Sequence, residues 1–123
     1  MAGEQILVVE DNEKSMKLFR DVLQATGYRI LEATTGGRAV ELATEHGPDL
    51  VLMDIQLPDI DGVEALGRLR ADERTASIPV LALTAQAMQG DDARFLAAGF
   101  DGYVSKPVNI VELVGTVKHH CDW

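Results

Sequence analysis

Four groups of polar residues follow apolar stretches of this chain, either directly or after one intervening residue. They are Glu10 with Asp11, Asp54, Thr84 and Lys106. A single acidic residue at the end of a strand is a common turn former, so none of these residues is informative alone. Three carboxylates brought to one place, however, repel one another unless a cation joins them. The set therefore predicts a cation site, provided that the fold gathers these residues at one edge.

The residue types also indicate which metal and which chemistry to expect. Oxygen ligands without histidine or thiolate favour Mg²⁺, which keeps water molecules that substrate phosphate oxygens can replace. The Lys106 ammonium can neutralise phosphate oxygens, and the Thr84 hydroxyl can donate a hydrogen bond to one of them. A carboxylate can attack phosphorus and form an acyl phosphate. We therefore predict Asp54 as the phosphoryl acceptor, assisted by Lys106 and Thr84.

Apolar stretches suitable for strands occur five times along the chain. Those at 6–9, 50–53 and 80–83 are continuous and rich in branched residues, as expected for parallel strands buried on both faces. The stretch at 28–33 contains charged residues as well as apolar ones, and the stretch at 102–104 is short. Because edge strands tolerate both features, we expect these two at the margins of a sheet.

Segments of helical period alternate with these strands. We expect helices after Asn12, around 36–46, 63–72 and 86–98, and after Asn109, with both asparagines as N-caps. The apolar residues Met16, Phe19 and Leu23 mark the buried face of the first helix, and those of the last helix are Ile110, Leu113, Val114 and Val117.

This alternation predicts an α/β fold. In a short chain, five strands and five helices favour the flavodoxin-like, doubly wound parallel sheet with strand order 2-1-3-4-5. Ligands of such sheets bind outside the carboxyl ends of the strands, near the point where strand order reverses. The polar groups described above would meet at that edge.

Composition limits the classes of function. The chain has 123 residues, enough for one domain, and a net charge of −9, which opposes binding to the phosphate backbone of nucleic acids. The sequence contains no apolar run of membrane-spanning length and no signal-peptide pattern. We therefore expect a soluble cytoplasmic protein that acts on other proteins, without nucleic acid or membrane as a partner.

Five short segments, in order and spacing, resemble the receiver domains of two-component response regulators. They are residues 8–12, 52–58, 61–62, 82–85 and 103–107, and the resemblance extends over essentially the whole chain. It implies the same CheY-like sheet of five strands and five helices. It also implies that a sensor histidine kinase or a histidine phosphotransfer protein donates a phosphoryl group from a phosphohistidine to Asp54.

The resemblance further implies a metal site and a limited catalytic role. Mg²⁺ would be held by Asp11, Asp54 and the backbone carbonyl of Gln56, with Glu10 assisting through water. The family more often has two aspartates where this chain has Glu10 and Asp11. Such a domain catalyses only its own phosphorylation and slow autodephosphorylation, so it is not otherwise an enzyme.

A conformational switch is the next implication of the resemblance. Thr84 would move toward the phosphoryl group while Tyr103 turns inward. This movement would repack the surface formed by the helix around 86–98, the last strand and the final helix, which a downstream protein would recognise. Gln56 and Gln86 occupy positions that influence the lifetime of the acyl phosphate in this family.

Two organisations of the whole protein stay open at this point. Residues 1–123 resemble stand-alone receivers of the DivK type, which have no output domain. The segment at 84–91 also resembles receivers that belong to hybrid histidine kinases, so an excised domain is the alternative.

Two unrelated function classes fit the sequence less well. A phosphatase of the haloacid dehalogenase type also uses an aspartate at a strand end, but it needs a second acid where Gln56 stands. A flavin-binding module needs a phosphate-cradling loop after the first strand, where Glu10 and Asp11 would repel the phosphate.

Overall fold

The computed structural model describes residues 3–84, 97–105 and 109–121. The strands are β1 (Gln5–Val9), β2 (Arg29–Ala33), β3 (Leu50–Asp54), β4 (Val80–Thr84) and β5 (Gly102–Ser105). The helices are α1 (Glu13–Thr26), α2 (Gly36–His46), α3 (Gly62–Ala71) and α4 (Ile110–Cys121). The helix predicted around 86–98 lies almost wholly outside the described residues, of which 97 and 98 are helical.

The five strands form one parallel sheet in the order β2-β1-β3-β4-β5. This confirms the predicted order, and the two weaker strands lie at the edges as expected. Val9 of β1 is paired with Met53 of β3, so the residues that follow them, Glu10 and Asp54, are level with each other. The register therefore brings the polar strand ends to one edge.

The core fills both faces of the sheet because side chains of a strand alternate between them. Leu7 and Val9 pack on one face with residues of α2 and α3. Ile6 and Val8 pack on the other with residues of α1 and α4. Burial on both faces explains why the central strands have unbroken apolar sequences.

Both predicted N-caps are confirmed, and each fixes where a helix begins. The Asn12 side chain accepts hydrogen bonds from the backbone N–H groups of Lys14 and Ser15, at 2.9 and 3.1 Å. The Asn109 side chain accepts one from Glu112 at 3.1 Å. Because these bonds satisfy N–H groups that have no partner within the helix, α1 begins directly after the first strand-end loop.

The predicted apolar face of the last helix is wrong at its first residue. Leu113 and Val117 are fully buried, but Ile110 is 51% exposed. A helical period identifies the face of a helix, but not where along its length contact with the sheet begins. In the described ranges, none of the helices has the length and apolar character needed to cross a membrane.

Candidate functional site

Three carboxylates meet at the carboxyl edge of the sheet. Glu10, Asp11 and Asp54 each place an oxygen within 4.8 Å of the others. Glu10 and Asp54 are only 1% and 6% exposed, whereas Asp11 is open to solvent. Like charges held this close, two of them largely withdrawn from water, strongly favour a bound cation. The predicted convergence of these residues is confirmed.

Asp54 is held by the strand that it ends. β3 is buried along its whole length, and the backbone of Ile55 continues its ladder by donating to the Leu83 carbonyl at 3.1 Å. The Oδ1 atom of Asp54 accepts a hydrogen bond from the backbone N–H of Gln56 at 2.9 Å. The position and the direction of this carboxylate are therefore both set by backbone contacts.

The loop after β1 is fixed on both sides of Asp11. The backbone N–H of Glu10 donates to the Ala33 carbonyl at 3.0 Å, which extends the pairing with β2. The Glu10 Oε1 atom accepts from the backbone N–H of Asn12 at 3.2 Å, and Asn12 in turn caps α1. Asp11, between these two anchored residues, places its exposed carboxylate beside the buried pair.

Thr84 ends the strand next to Asp54. Asp54 is paired with Leu83, so Thr84 lies one residue further along the neighbouring strand and is 5% exposed. Tyr103 lies on the edge strand β5, paired with Ala82, and is 39% exposed. A nearly buried hydroxyl thus lies at the same edge as the acids, and a partly exposed aromatic ring lies on the strand beside it.

Of the remaining predicted residues, Gln56, Lys106 and Gln86, the structure describes only Gln56. Gln56 is an exposed residue of the loop between β3 and α3, and its N–H contacts Asp54. Ser105 ends β5 at the same edge, and Lys106, the next residue, lies outside the described residues. Gln86 lies outside them as well. The predicted roles of Lys106 and Gln86 therefore stay predictions.

Sequence reasoning missed the role of Gly62, although it noted the Asp61-Gly62 pair. A Cβ built on Gly62 would stand 2.6 Å from the Asp54 carbonyl oxygen and 2.9 Å from the Ile55 Cα. Its N–H donates to the Ile55 carbonyl at 2.9 Å. Only glycine lets α3 approach the backbone behind the acidic cluster this closely. An Asp-Gly pair before a helix suggests a cap, but no pattern reveals such an approach.

Sequence reasoning missed Asp59 altogether. Its Oδ1 and Oδ2 atoms accept hydrogen bonds from the backbone N–H groups of Gly36 and Gly37, at 2.8 and 2.9 Å. These bonds lower the pKa of Asp59 from 3.8 to about 2, since they stabilise the charged form. An exposed aspartate after a proline reads as a turn residue, so no sequence signal joins it to a distant helix.

The donor set fits a hard divalent cation. Every side chain of the cluster offers carboxylate oxygen, which suits Mg²⁺ and does not favour softer metals. The carboxylate of Asp54 is oriented, and the hydroxyl of Thr84 lies on the adjacent strand end. Such an arrangement can hold a metal and present a carboxylate oxygen as a nucleophile.

Comparison with known proteins gives a family. Residues 6–118 match the family described as the response regulator receiver domain. The polar-differentiation response regulator DivK of Brucella ovis is 45% identical over 117 residues, which cover 95% of each chain. The Brucella anthropi protein of the same name is 44% identical over the same shares of both chains.

Solved structures agree. A response regulator from Chloroflexus aurantiacus has a TM-score of 0.92 at 30% identity and covers 98% of this chain and 99% of its own. The receiver domain of sensor histidine kinase PA1611 from Pseudomonas aeruginosa has a TM-score of 0.90 at 37% identity, covering 99% and 100%. That structure has a magnesium ion coordinated in its active site cleft. With its sheet, its acidic edge and these relatives taken together, the chain belongs to the response regulator receiver domain family.

Proposed function

We propose that this receiver accepts a phosphoryl group on Asp54, with Mg²⁺ bound beside it, and passes the signal on through contacts with other proteins. The observation that carries the proposal is the acidic cluster, in which Glu10, Asp11 and Asp54 place carboxylate oxygens within 4.8 Å of one another. The magnesium ion in the PA1611 receiver supports the same use of this edge.

The metal would be held by Asp11, Asp54 and the backbone carbonyl of Gln56. Glu10 is nearly buried, and its carboxylate already accepts a hydrogen bond from the Asn12 N–H. In this proposal Glu10 therefore orients a water molecule bound to the metal and does not bind the metal directly. When bound, Mg²⁺ would neutralise negative charge on the phosphate oxygens.

The chain's own residues position and complete the transfer. An Asp54 carboxylate oxygen forms the new P–O bond as the P–N bond of a phosphohistidine breaks, and the bonding electron pair stays on the imidazole nitrogen. The Thr84 hydroxyl donates to a phosphate oxygen, and Lys106 contributes a positive charge to another. The same site, with a water as attacking group, would slowly hydrolyse the acyl phosphate, and Gln56 and Gln86 would tune its lifetime.

Signalling would follow from a shift between two arrangements of one surface. In this proposal Thr84 moves toward the phosphoryl group, and Tyr103 turns from its partly exposed position to fill the space that is vacated. The partial exposure of Tyr103 supports the proposal because it leaves the ring room to turn.

We further propose that residues 1–123 act as a single, stand-alone receiver domain in the cytoplasm. The supporting observation is that the DivK relatives match over 95% of their own length. The partners would be a sensor histidine kinase or a histidine phosphotransfer protein on one side and a downstream protein on the other, without direct binding to nucleic acid or membrane. The phosphatase and flavin alternatives are not favoured by the family, and the hybrid-kinase alternative is not favoured by the DivK relatives.

Phosphorylation can be tested by intact-mass spectrometry. We expect the wild type to gain the mass of one phosphoryl group when incubated with Mg²⁺ and acetyl phosphate, and to gain nothing when the metal is chelated. The Asp54→Asn variant should fold and stay unlabelled. The Asp21→Asn variant, altered at an exposed carboxylate of α1, should be labelled like the wild type.

A phosphorylated histidine kinase serves as the second donor. Absence of an adduct on the wild type with both donors would contradict the proposal. The Lys106→Ala variant tests the predicted role of that residue: it should slow labelling or abolish the signalling response more than it weakens Mg²⁺ binding.

A further inference from the structure

The loop between β3 and α3 is bonded to α2 through Asp59, which is not among the residues of the acidic cluster. Asp59 accepts hydrogen bonds from the first two N–H groups of α2, those of Gly36 and Gly37, with one carboxylate oxygen for each. N–H groups at this end of a helix have no acceptor within the helix. The Asp59 carboxylate therefore forms a two-point bridge between the loop and α2.

Packing reinforces this bridge. A Cβ built on Gly36 would come within 2.5 Å of the Ile60 Cγ1 atom, so α2 and the loop are in close contact at this point. Ile60 also packs against the buried cluster on this face of the sheet. The loop is therefore held to α2 by hydrogen bonds at Asp59 and by apolar contact at Ile60.

The other end of the same loop carries the site. Asp54 begins the turn, and its Oδ1 atom accepts from Gln56 at 2.9 Å. Residues 55–58 thus run between one anchor at Asp54 and another at Asp59. The Gln56 side chain is exposed, so its backbone is held through its bond to Asp54 and through the contacts of the residues that follow, among which Asp59 gives the link to α2.

We propose that Asp59 is a positioning residue for the phosphorylation site: by tying the loop to α2, it holds the Gln56 carbonyl in a position from which it can coordinate the metal. This inference rests on the proposed function, in which that carbonyl is a ligand of Mg²⁺. Asp59 itself does not contact the metal or the phosphoryl group. It acts through the loop backbone.

A merely structural role of Asp59 can be distinguished because α2 has a second cap. Thr35 is the N-cap residue of α2, and its side chain accepts from the Arg38 N–H at 3.1 Å. Loss of either side chain removes an acceptor from the same helix end. Only loss of Asp59 also removes the hydrogen-bonded link between α2 and the loop. Thr35→Ala is therefore the matched control for Asp59→Ala.

The experiment is a Mg²⁺ titration of each variant, followed by ¹H–¹⁵N NMR, together with a thermal unfolding curve. We expect Asp59→Ala to raise the Mg²⁺ dissociation constant by about tenfold, as loss of a group that supports a ligand commonly does. Asp59→Asn keeps one oxygen as an acceptor and should raise it less. Thr35→Ala should lower the melting temperature but bind Mg²⁺ like the wild type.

The outcomes separate this inference from the proposed function. If the wild type binds Mg²⁺ and Asp59→Ala binds it equally well, the positioning role is wrong and the proposed function stands. An equal loss of affinity in Thr35→Ala also overturns the role, since it would trace the effect to stability of α2. Should Asp59→Ala fail to fold, the comparison of Asp59→Asn with the wild type decides. Absence of Mg²⁺ binding by the wild type overturns both.

Discussion

Gly62 lies against the backbone carbonyl of Asp54 so closely that a Cβ at Gly62 would stand 2.6 Å from that oxygen. This contact places the first turn of α3 directly behind the residue that we propose as phosphoryl acceptor. A side chain at this position cannot be accommodated by rotation because the opposing atoms belong to the backbone.

We predict that Gly62→Ala displaces the loop after β3. The free energy of unfolding should fall by about 1–3 kcal/mol, as is usual when a methyl group is forced into a packed contact. Labelling of Asp54 by acetyl phosphate should slow as well. Urea unfolding and intact-mass spectrometry measure the two effects.

Gly67 provides the control for this prediction. It lies in the same helix, and a Cβ built on it would meet nothing within 4 Å. Gly67→Ala should therefore leave labelling unchanged and raise stability by about 0.5–1 kcal/mol through the higher helix propensity of alanine. Equal behaviour of the two variants would show that the contact at Asp54 has no consequence.

A second prediction concerns Arg70, near the amino ends of β4 and β5. Its guanidinium donates to the carbonyls of Ala76, Ile78 and Gly99, at 3.1, 2.6 and 3.2 Å, and to Asp101 Oδ2 at 2.9 Å. Asp101 also accepts from the backbone N–H that starts β4. Arg70 thus joins the end of α3 to two further segments.

We predict that Arg70→Met lowers the free energy of unfolding by about 1–3 kcal/mol, because it removes a charged donor from four acceptors, two of them in part-buried bonds, while keeping the apolar stem. Arg68→Met is the control. Arg68 pairs only with Glu64 among the described residues, and both side chains are more than half exposed, so its loss should cost less than about 0.5 kcal/mol. Urea unfolding compares the two, and similar losses would count against the bridging role.

Acid should weaken the Asp59 bridge. The folded-state pKa of Asp59 is about 2, below its ordinary value of 3.8, so its contribution to stability is complete above 3.8 and is lost as the pH falls toward 2. We therefore expect the difference in melting temperature between the wild type and Asp59→Asn to shrink over this range. A thermal unfolding series at low salt measures it, since salt screens an exposed carboxylate. A difference that stays constant down to pH 2 would exclude the proposed linkage.

Much of the fold could be predicted because the local sequence and the tertiary structure agree. The continuous apolar runs of β1, β3 and β4 are buried on both faces, and the mixed sequence of β2 lies at an edge. The proximity of Glu10 and Asp54 could be predicted from the sequence because parallel strands end at a common edge.

The contacts of Asp59 and Gly62 could not be predicted in the same way. Each joins segments that are separate along the chain or brings backbone against backbone, and neither residue type requires such a partner. Ile110 shows a different limit. The helical period of the last helix was correct, but the predicted buried face included Ile110, whose side chain is exposed. Position along a helix depends on the neighbours that it meets.

The three acids of the site and Thr84 lie at strand ends or in the loops that follow them, while the described helices turn their outer faces to solvent. Under the proposed function, reactivity would lie at the strand ends and recognition of other proteins on the outer helix faces. Substitutions on the outer faces would then change the set of proteins that bind without disturbing the acids. A relative with 30% identity and a TM-score of 0.92 illustrates how much sequence can diverge around one scaffold. This separation would let duplicated genes acquire new signalling routes while keeping the same chemistry.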